Sequence, residues 1–456
     1  MAETLVHDAL RAFADAFVAH GPPGPGGART FAPADYSVHF FLALAVILLA
    51  SRLVGWIARR WFGQPQVVGE MIAGVLLGPS LFGMVAPQVQ ALVFPNELRP
   101  LLYAAAQLGV GLYMFLVGNA LDPAHFRERA RSAVGVSAAG IGVPVIVAIV
   151  LAPWLVATPG LFAAGISRFN ATLFLSACIA LTAFPMLARI IAERGLAGTR
   201  LGALALTAGA FDDAVSWCLL AVVLATFGAG AGVALLAIGG GIAYAAFILL
   251  FGPRLFAPLG RAIGPDGTMG GGVLGLTLAA FCLSAFLMDA IGIHAIFGGF
   301  ILGVVMPRGR FSAALQRQVE LIATVLLLPI FFTYSGLNTR MDLMTAPGLL
   351  AIALVVLAGS VLAKFGACWL AARIAGEDNR TALGIGALMN ARGLMELIIV
   401  NIGLQKGIIG PGLFAMLVLM AVVTTVMASP LFERVYGRHA RRGAADAAAP
   451  QPAATG

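Results

Sequence analysis

The sequence predicts an all-α, polytopic membrane protein of about thirteen transmembrane helices, built on inverted repeats that each carry an interrupted helix. Three observations point there: a composition with too little polar surface for water, apolar runs at bilayer length, and a glycine motif that recurs with a helix break downstream of each copy. Of 456 residues, 60% are hydrophobic, 11% are charged and 56 are glycine. A soluble domain of this size shows water far more polar surface. Apolar stretches of about 20 residues recur from Ser37 to about Tyr436, each long enough to cross roughly 30 Å of hydrocarbon as a helix.

Thirteen segments follow when the chain is divided at charges and at Gly/Pro clusters, with approximate limits 37–58, 67–86, 100–121, 132–157, 169–193, 201–227, 230–257, 270–289, 292–306, 319–337, 347–373, 381–404 and 409–435. An odd count puts the two ends on opposite sides. One set of connecting loops, with the C-terminal end, holds eighteen arginines, among them Arg59, Arg60, Arg194, Arg200, Arg308 and Arg373. The alternate set holds Arg11, Arg29, Arg99, Arg168, Arg340 and Lys406. This imbalance orients the chain in the cell inner membrane with its N-terminus external and its C-terminus cytoplasmic. The formal charge of +8 is then a consequence of topology, and no folded basic domain is present to carry nucleic-acid binding.

The expected organisation is an external segment 1–36, a membrane domain 37–435 and a disordered Ala/Pro-rich cytoplasmic tail 436–456. No basic region followed by an apolar core marks a cleaved leader. Cys178, Cys218, Cys282 and Cys368 all lie inside apolar spans, without CxxC or Cys/His spacing, so neither disulfides nor a transition-metal site is expected. No cofactor is expected.

Segment two contains Ala73-Gly74-Val75-Leu76-Leu77-Gly78, and segment nine contains Gly298-Gly299-Phe300-Ile301-Leu302-Gly303. Seven spans separate the copies, so they run in opposite directions. Three spans after the first copy, segment five is interrupted by Leu181-Thr182-Ala183-Phe184-Pro185. Pro185 cannot donate to the Leu181 carbonyl, and freed carbonyls at membrane depth are tolerated around a polar cavity. Three spans after the second copy, segment twelve is interrupted by Met389-Asn390-Ala391-Arg392-Gly393. Matched breaks in an inverted pair are the sequence-level mark of a transporter's substrate site.

The strongest local signal is Ala210-Phe211-Asp212-Asp213-Ala214-Val215-Ser216-Trp217, in the middle of segment six. Each carboxylate there costs at least ~2.5–3.5 kcal/mol to insert, and like charges side by side repel. Neighbours on a helix point about 100° apart, so one aspartate can face an ion path while the other contacts a neighbouring helix. Lys364 is the natural partner. Lysine occurs twice among the 28 basic residues, and this one stands inside segment eleven. A desolvated lysine can release its proton, which arginine does not do.

With the Gln64-Pro65, Gly69-Glu70 and Leu77-Gly78-Pro79 signature, the run Ala180 to Ile190, the aspartate pair and Asn390-Ala391-Arg392-Gly393-Leu394-Met395-Glu396-Leu397, the chain resembles the monovalent cation:proton antiporter superfamily over about residues 37–435. It looks most similar to the branch of plant cation/proton exchangers and bacterial thirteen-span sodium/proton antiporters. The resemblance implies a homodimer, each subunit pairing a dimerisation domain with a core of two crossed, interrupted helices that moves as an elevator. It implies that Asp213 alternately binds a cation (Na+, Li+ or K+) and H+, with Lys364 paired to Asp212, which stands where many relatives carry asparagine. Aspartate at that place is similar to the charge-moving antiporters, so exchange is expected to be electrogenic.

Further residues carry two readings each. The Thr182 hydroxyl can supply a cation ligand or bond its own helix. Arg392 and Glu396 stand at i,i+4 and can pair, compensating helix-end charge rather than carrying ions. Ser216 and Asn390 are candidate wall residues. Glu70 suits either an access funnel or an ordinary interfacial carboxylate. Asp289 and His294 flank the external turn between segments eight and nine, where histidine can sense pH or simply close the turn. Rival classes are a potassium/proton antiporter, an ion-coupled symporter or a transport-dead sensor on the same repeat. An intramembrane aspartyl protease would need its two aspartates on different helices facing one water, and here they are adjacent.

Overall fold

The computed structural model describes residues 33–437, apart from 121–122, 197–198, 225, 227–230, 265 and 339–346. The segment expected outside the membrane at 1–36 lies outside the described residues up to position 32, and the tail expected at 436–456 lies outside them from position 438. Among the described residues the chain is helical, with no strand and one isolated bridge between Phe162 and Ile409.

The order begins with α1 (Pro33–Phe62), α2 (Gln66–Leu77), α3 (Arg99–Ala120) and α4 (Pro123–Ala157). The half-helices α5 (Arg168–Ala180) and α6 (Phe184–Glu193) follow, then α7 (Arg200–Leu224) and α8 (Ala231–Arg261). Next come α9 (Gly271–Ala290), α10 (Ala295–Val305), α11 (Arg310–Leu321) and α12 (Leu328–Leu337). The chain continues through α13 (Pro347–Ile374), the half-helices α14 (Asn379–Met389) and α15 (Leu394–Gln405), and α16 (Pro411–Phe432).

Among the described residues, nine stretches are long and apolar enough to cross a bilayer. The sequence-derived runs outside those nine are the two interrupted ones, the short α10, and α7 with two aspartates at its centre. Some boundaries differ from the sequence reading for identifiable reasons. α1 continues to Phe62 because Arg59 and Arg60 in its last turn suit the negative helix end. α10 begins only at Ala295, since Gly292 turns the chain at φ +89° and His294 caps the helix. Segment ten starts at Arg310 rather than 319: α11 buries Phe311, Ala314, Leu315 and Val319 on one face and is polar elsewhere, so it makes no apolar run.

The helices pack as two bundles. One comprises α1, α2, α3 and α9 to α12; the other comprises α4 to α7 and α13 to α16, with α8 running between them. Inside the first bundle the two glycine motifs act in the same way. A Cβ at Gly74 of α2, or at Gly78 just after it, would come 2.3 Å from the Phe332 carbonyl oxygen or 2.2 Å from that of Gly336, both on α12. A Cβ at Gly299 or Gly303 of α10 would come 2.6 Å from the Gly111 oxygen or 2.1 Å from that of Phe115, both on α3. Segment two thus packs on segment ten, and segment nine on segment three. That exchange is what inverted copies related by a two-fold axis produce.

In the second bundle, both broken helices stop and restart for local reasons. Ser167 caps α5 by accepting from the Asn170 amide at 3.1 Å, and Asp378 caps α14 by accepting from Arg380 and Thr381 at 3.0 and 3.1 Å. α6 restarts with Pro185 in its first turn, where a missing amide proton costs nothing. The breaks touch: the Ala183 amide donates to the Ala391 carbonyl at 3.0 Å, and a Cβ on Gly393 would lie 2.9 Å from that of Ala183.

Gly74→Ala forces backbone apart at the α2–α12 contact, and we expect a loss of about 1–3 kcal/mol, read as a lower unfolding temperature in detergent. Gly142→Ala on α4, with nothing within 4 Å of the new methyl, should leave that temperature unchanged or raise it. Equal stability of the two variants would contradict the close-packing role.

Candidate functional site

The crossing of the two breaks organises the charged centre. The last carbonyls of α5 have no helical partner and face the protein interior. Two cations satisfy them. Lys364 Nζ, from α13, donates to the Ala180 carbonyl at 2.5 Å and to Asp212 Oδ2. Arg392, from the second break, donates to the carbonyls of Cys178 at 3.1 Å and Ile179 at 2.6 Å, and to the Ser360 hydroxyl. Positive charge at a helix C-terminus offsets its dipole. Glu396, in the first turn of α15, lies 3.5 Å from Arg392 as an ion pair and suits the opposite end of a dipole.

Asp212 is fully buried and fully engaged. Its Oδ1 accepts from Ser137 of α4 at 2.6 Å, and its Oδ2 accepts from Thr182 at 2.7 Å as well as from Lys364. The Thr182 hydroxyl also lies 3.1 Å from the Met389 carbonyl, so it spans from the first break to the end of α14. Asp213, the next residue, is equally buried, yet neither of its carboxylate oxygens has a hydrogen-bond partner among the described residues. The helical turn between the two aspartates sends one into a network and leaves the other without one.

Other sequence candidates fall into place around this centre. Asn390 donates to the Gly386 carbonyl at 3.1 Å, and its buried Oδ1 has no hydrogen-bond partner among the described residues. The Ser216 hydroxyl bonds the Asp212 carbonyl at 2.7 Å, a back-bond within α7. Glu70 is fully buried on α2, with Arg189, Glu193 and Arg52 as charged neighbours. Asp289 is exposed near the end of α9, and His294 caps α10 through its ring, with Nδ1 3.4 Å from the Ile296 amide; both are remote in sequence and element from the crossing. Three residues of the centre were not singled out by sequence: Ser137, Ser360 and Thr425, whose hydroxyl donates to the Arg392 carbonyl. Small hydroxyl residues are frequent in membrane helices, and only the fold reveals which of them face a charge.

The bundles meet across a seam with few direct contacts, chiefly where α6 passes α2 and α3 and where α12 passes α15. A cavity of about 230 Å³ opens in this seam, lined by Tyr113, Leu116, Val117 and Ala120 of α3, Ala188 and Ala192 of α6, Leu206 of α7, and Gln316 and Glu320 of α11. Leu206 stands seven residues before Asp213, about two turns along one face of α7.

Residues 42–435 match the family described as sodium/hydrogen exchanger, transmembrane. The chain is 38% identical over 404 residues to the Na+/H+ antiporter NhaS4 of Synechocystis sp., covering 86% of this chain and 96% of that protein. It is 34% identical to cation/H+ antiporter 17 of Arabidopsis thaliana and 31% identical to K+/H+ antiporter 1 of Saccharomyces cerevisiae, over 87% and 89% of this chain. It spans about half the length of those plant and yeast relatives, 48% and 49%. Among solved structures, the sodium proton antiporter MjNhaP1 of Methanocaldococcus jannaschii superposes with a TM-score of 0.60 at 14% identity, over 88% of this chain and 98% of that one, which places the two in one fold. With its crossed breaks, paired aspartates and a family match that runs through nearly all its spans, the chain belongs to the sodium/hydrogen exchanger family.

Proposed function

We propose that the protein exchanges a small monovalent cation, sodium foremost, for protons across the cell inner membrane, using Asp213 as the site that both cargoes share. The observation that carries this reading is the pair of buried, unpartnered oxygens on Asp213 beside a neighbour whose own oxygens are taken. A carboxylate in that position stays charged only if a positive ion joins it, and otherwise holds a proton. Either cargo satisfies the same group, so each excludes the other. Candidate oxygen ligands for a dehydrated alkali ion are the Thr182 hydroxyl and Asn390 Oδ1, both on the breaks. Sodium follows from the extensive likeness to NhaS4. The yeast relative, named for K+/H+ exchange, supports potassium as the second reading.

Alternating access is proposed to be an elevator movement of the α4–α7 and α13–α16 bundle, with its crossed breaks, along the other bundle. The sparse seam and the few direct contacts across it support this reading. A homodimer formed through the bundle that contains α1 would hold the stationary part in place. Lys364 adds a second proton to the cycle. When a cation draws Asp212 toward it, the ammonium loses its counter-charge and can give its proton up, regaining one on the other face. Two protons would then move against one monovalent cation, and the exchange would carry net charge. The orientation proposed puts the Arg189 and Arg194 end of α6 on the cytoplasmic side.

Competition for one carboxylate sets the pH dependence. As pH falls, protons occupy Asp213 and the apparent cation affinity drops, by about tenfold per pH unit where the two compete one for one. Dissipation of a pH gradient in proteoliposomes, titrated with Na+ and K+ between pH 5 and 9, checks this; a half-saturating concentration independent of pH would contradict it. Asp213→Asn should abolish exchange while leaving expression and unfolding temperature intact, because it removes an unpaired charge and little volume. Full exchange in that variant would move the site elsewhere.

Lys364→Arg, where it folds, should keep exchange and lose net charge movement, since arginine retains its proton. Lys364→Ala strands Asp212 in a dry interior and should cost about 3–5 kcal/mol of stability. Currents from proteoliposomes on a solid-supported membrane, with pH followed in the same preparation, measure both. Wild-type exchange without a transient current, or an arginine variant with undiminished current per proton, would contradict the two-proton scheme.

A further inference from the structure

A second charged site lies in the seam, away from the aspartates. A cavity of about 440 Å³ opens where the corner between α1 and α2 meets the C-terminal end of α6. Four guanidinium groups line it: Arg52 and Arg59 from α1, and Arg189 and Arg194 from α6 and the residue after it. The lining carries one carboxylate, Glu193, whose oxygens lie 3.2 and 3.4 Å from the Val67 amide in the first turn of α2. Glu70 and Glu433 offset part of the charge from behind the lining. A path for cations has no use for such a cluster, which would repel the cargo.

Only part of the donor capacity is used within the protein. Arg52 has no hydrogen bond or ion pair among the described residues. Arg59 spends one N–H on Gln66 Oε1 at 2.8 Å, and Arg189 Nε lies 2.8 Å from Glu193 Oε1. Arg194 is the one most engaged, bonding Glu433, the Ser429 hydroxyl and the Gly63 carbonyl. Guanidinium forks match phosphate oxygens, and basic pockets between membrane helices on the arginine-rich side suit phosphate-bearing headgroups.

We propose that this cavity binds a phosphate-bearing anion and that the bound anion bridges the two bundles. Arg52 and Arg59 belong to the bundle proposed to stand still, Arg189 and Arg194 to the one proposed to move. A ligand held by all four binds best to the arrangement that keeps them together, and stabilises that arrangement by the same difference in affinity. Binding stands on the cavity alone; the consequence, slower exchange, rests on the elevator reading above. The phosphate is either free, as inorganic phosphate or a nucleotide, or the headgroup of an anionic lipid.

Thermal unfolding of the full chain in phosphatidylcholine nanodiscs, at constant ionic strength set with chloride, tests the binding. Inorganic phosphate, ATP, or phosphatidylglycerol added to the disc should raise the midpoint. A rise with phosphate or ATP identifies a free anion, and a rise confined to phosphatidylglycerol identifies a lipid headgroup. The probe concentration for half the rise should grow about fivefold in Arg52→Gln, which has no hydrogen bond to lose, and about thirtyfold in the Arg52→Gln, Arg59→Gln double variant. No rise with any probe, or an undiminished rise in both variants, overturns the site. The thermal readout needs no transport, so it stands whatever the exchange assay returns. In liposomes the effective probe should slow wild-type exchange, and binding without slowing overturns the bridging.

Discussion

Three carboxylates and two cations share the buried interior where the broken helices cross, and this uneven count is the constraint on which the rest depends. Asp212 and Lys364 offset each other's loss of hydration, aided by hydroxyls from Ser137 and Thr182. Asp213 has no such company. In a low-dielectric interior an isolated ionised carboxylate is too costly to keep, and on the proposed reading the missing positive charge arrives as cargo, either a cation or a proton.

The helix breaks make this arrangement affordable in structural terms. Ending α5 in mid-bundle exposes carbonyls, and Lys364 and Arg392 answer them with charge. Thr182 then joins the two breaks by reaching both Asp212 and the end of α14. Lys364 and Thr182, at the interrupted backbone, therefore also hold Asp212 in place. The rest of the bundle holds the repair: α4 supplies Ser137, α13 supplies Lys364 and Ser360, and α16 supplies Thr425 to the Arg392 carbonyl.

Much of this was legible in the sequence because membrane depth makes certain residues expensive. Aspartates, a lysine and an arginine inside apolar runs stand out against their surroundings, and Pro185 and Gly393 mark where the helices have to break. The repeated glycines were legible as copies of one motif, and the backbones they approach were not, since nothing in segment two names segment ten as its partner. Ser137 escaped because a hydroxyl costs little in a helix that can bond it internally, and α11 escaped because its apolar face is one-sided. In the sequence, Arg59 and Arg194 of the seam cluster read as loop charge, while Arg52 and Arg189 fall inside apolar segments. The cluster's assembly from α1 and α6 depends on how the two bundles meet, which no periodicity encodes.

The central claim is that proton and cation satisfy one carboxylate by turns, and proton release on cation binding tests it without transport or a membrane. Calorimetric titration of Na+ or K+ into the purified protein, in two buffers of different ionisation enthalpy at a pH where Asp213 is protonated, gives the number of protons freed per cation bound. The account predicts release of at least one proton from the wild-type protein and none from Asp213→Asn. Cation binding whose heat is the same in both buffers would contradict it.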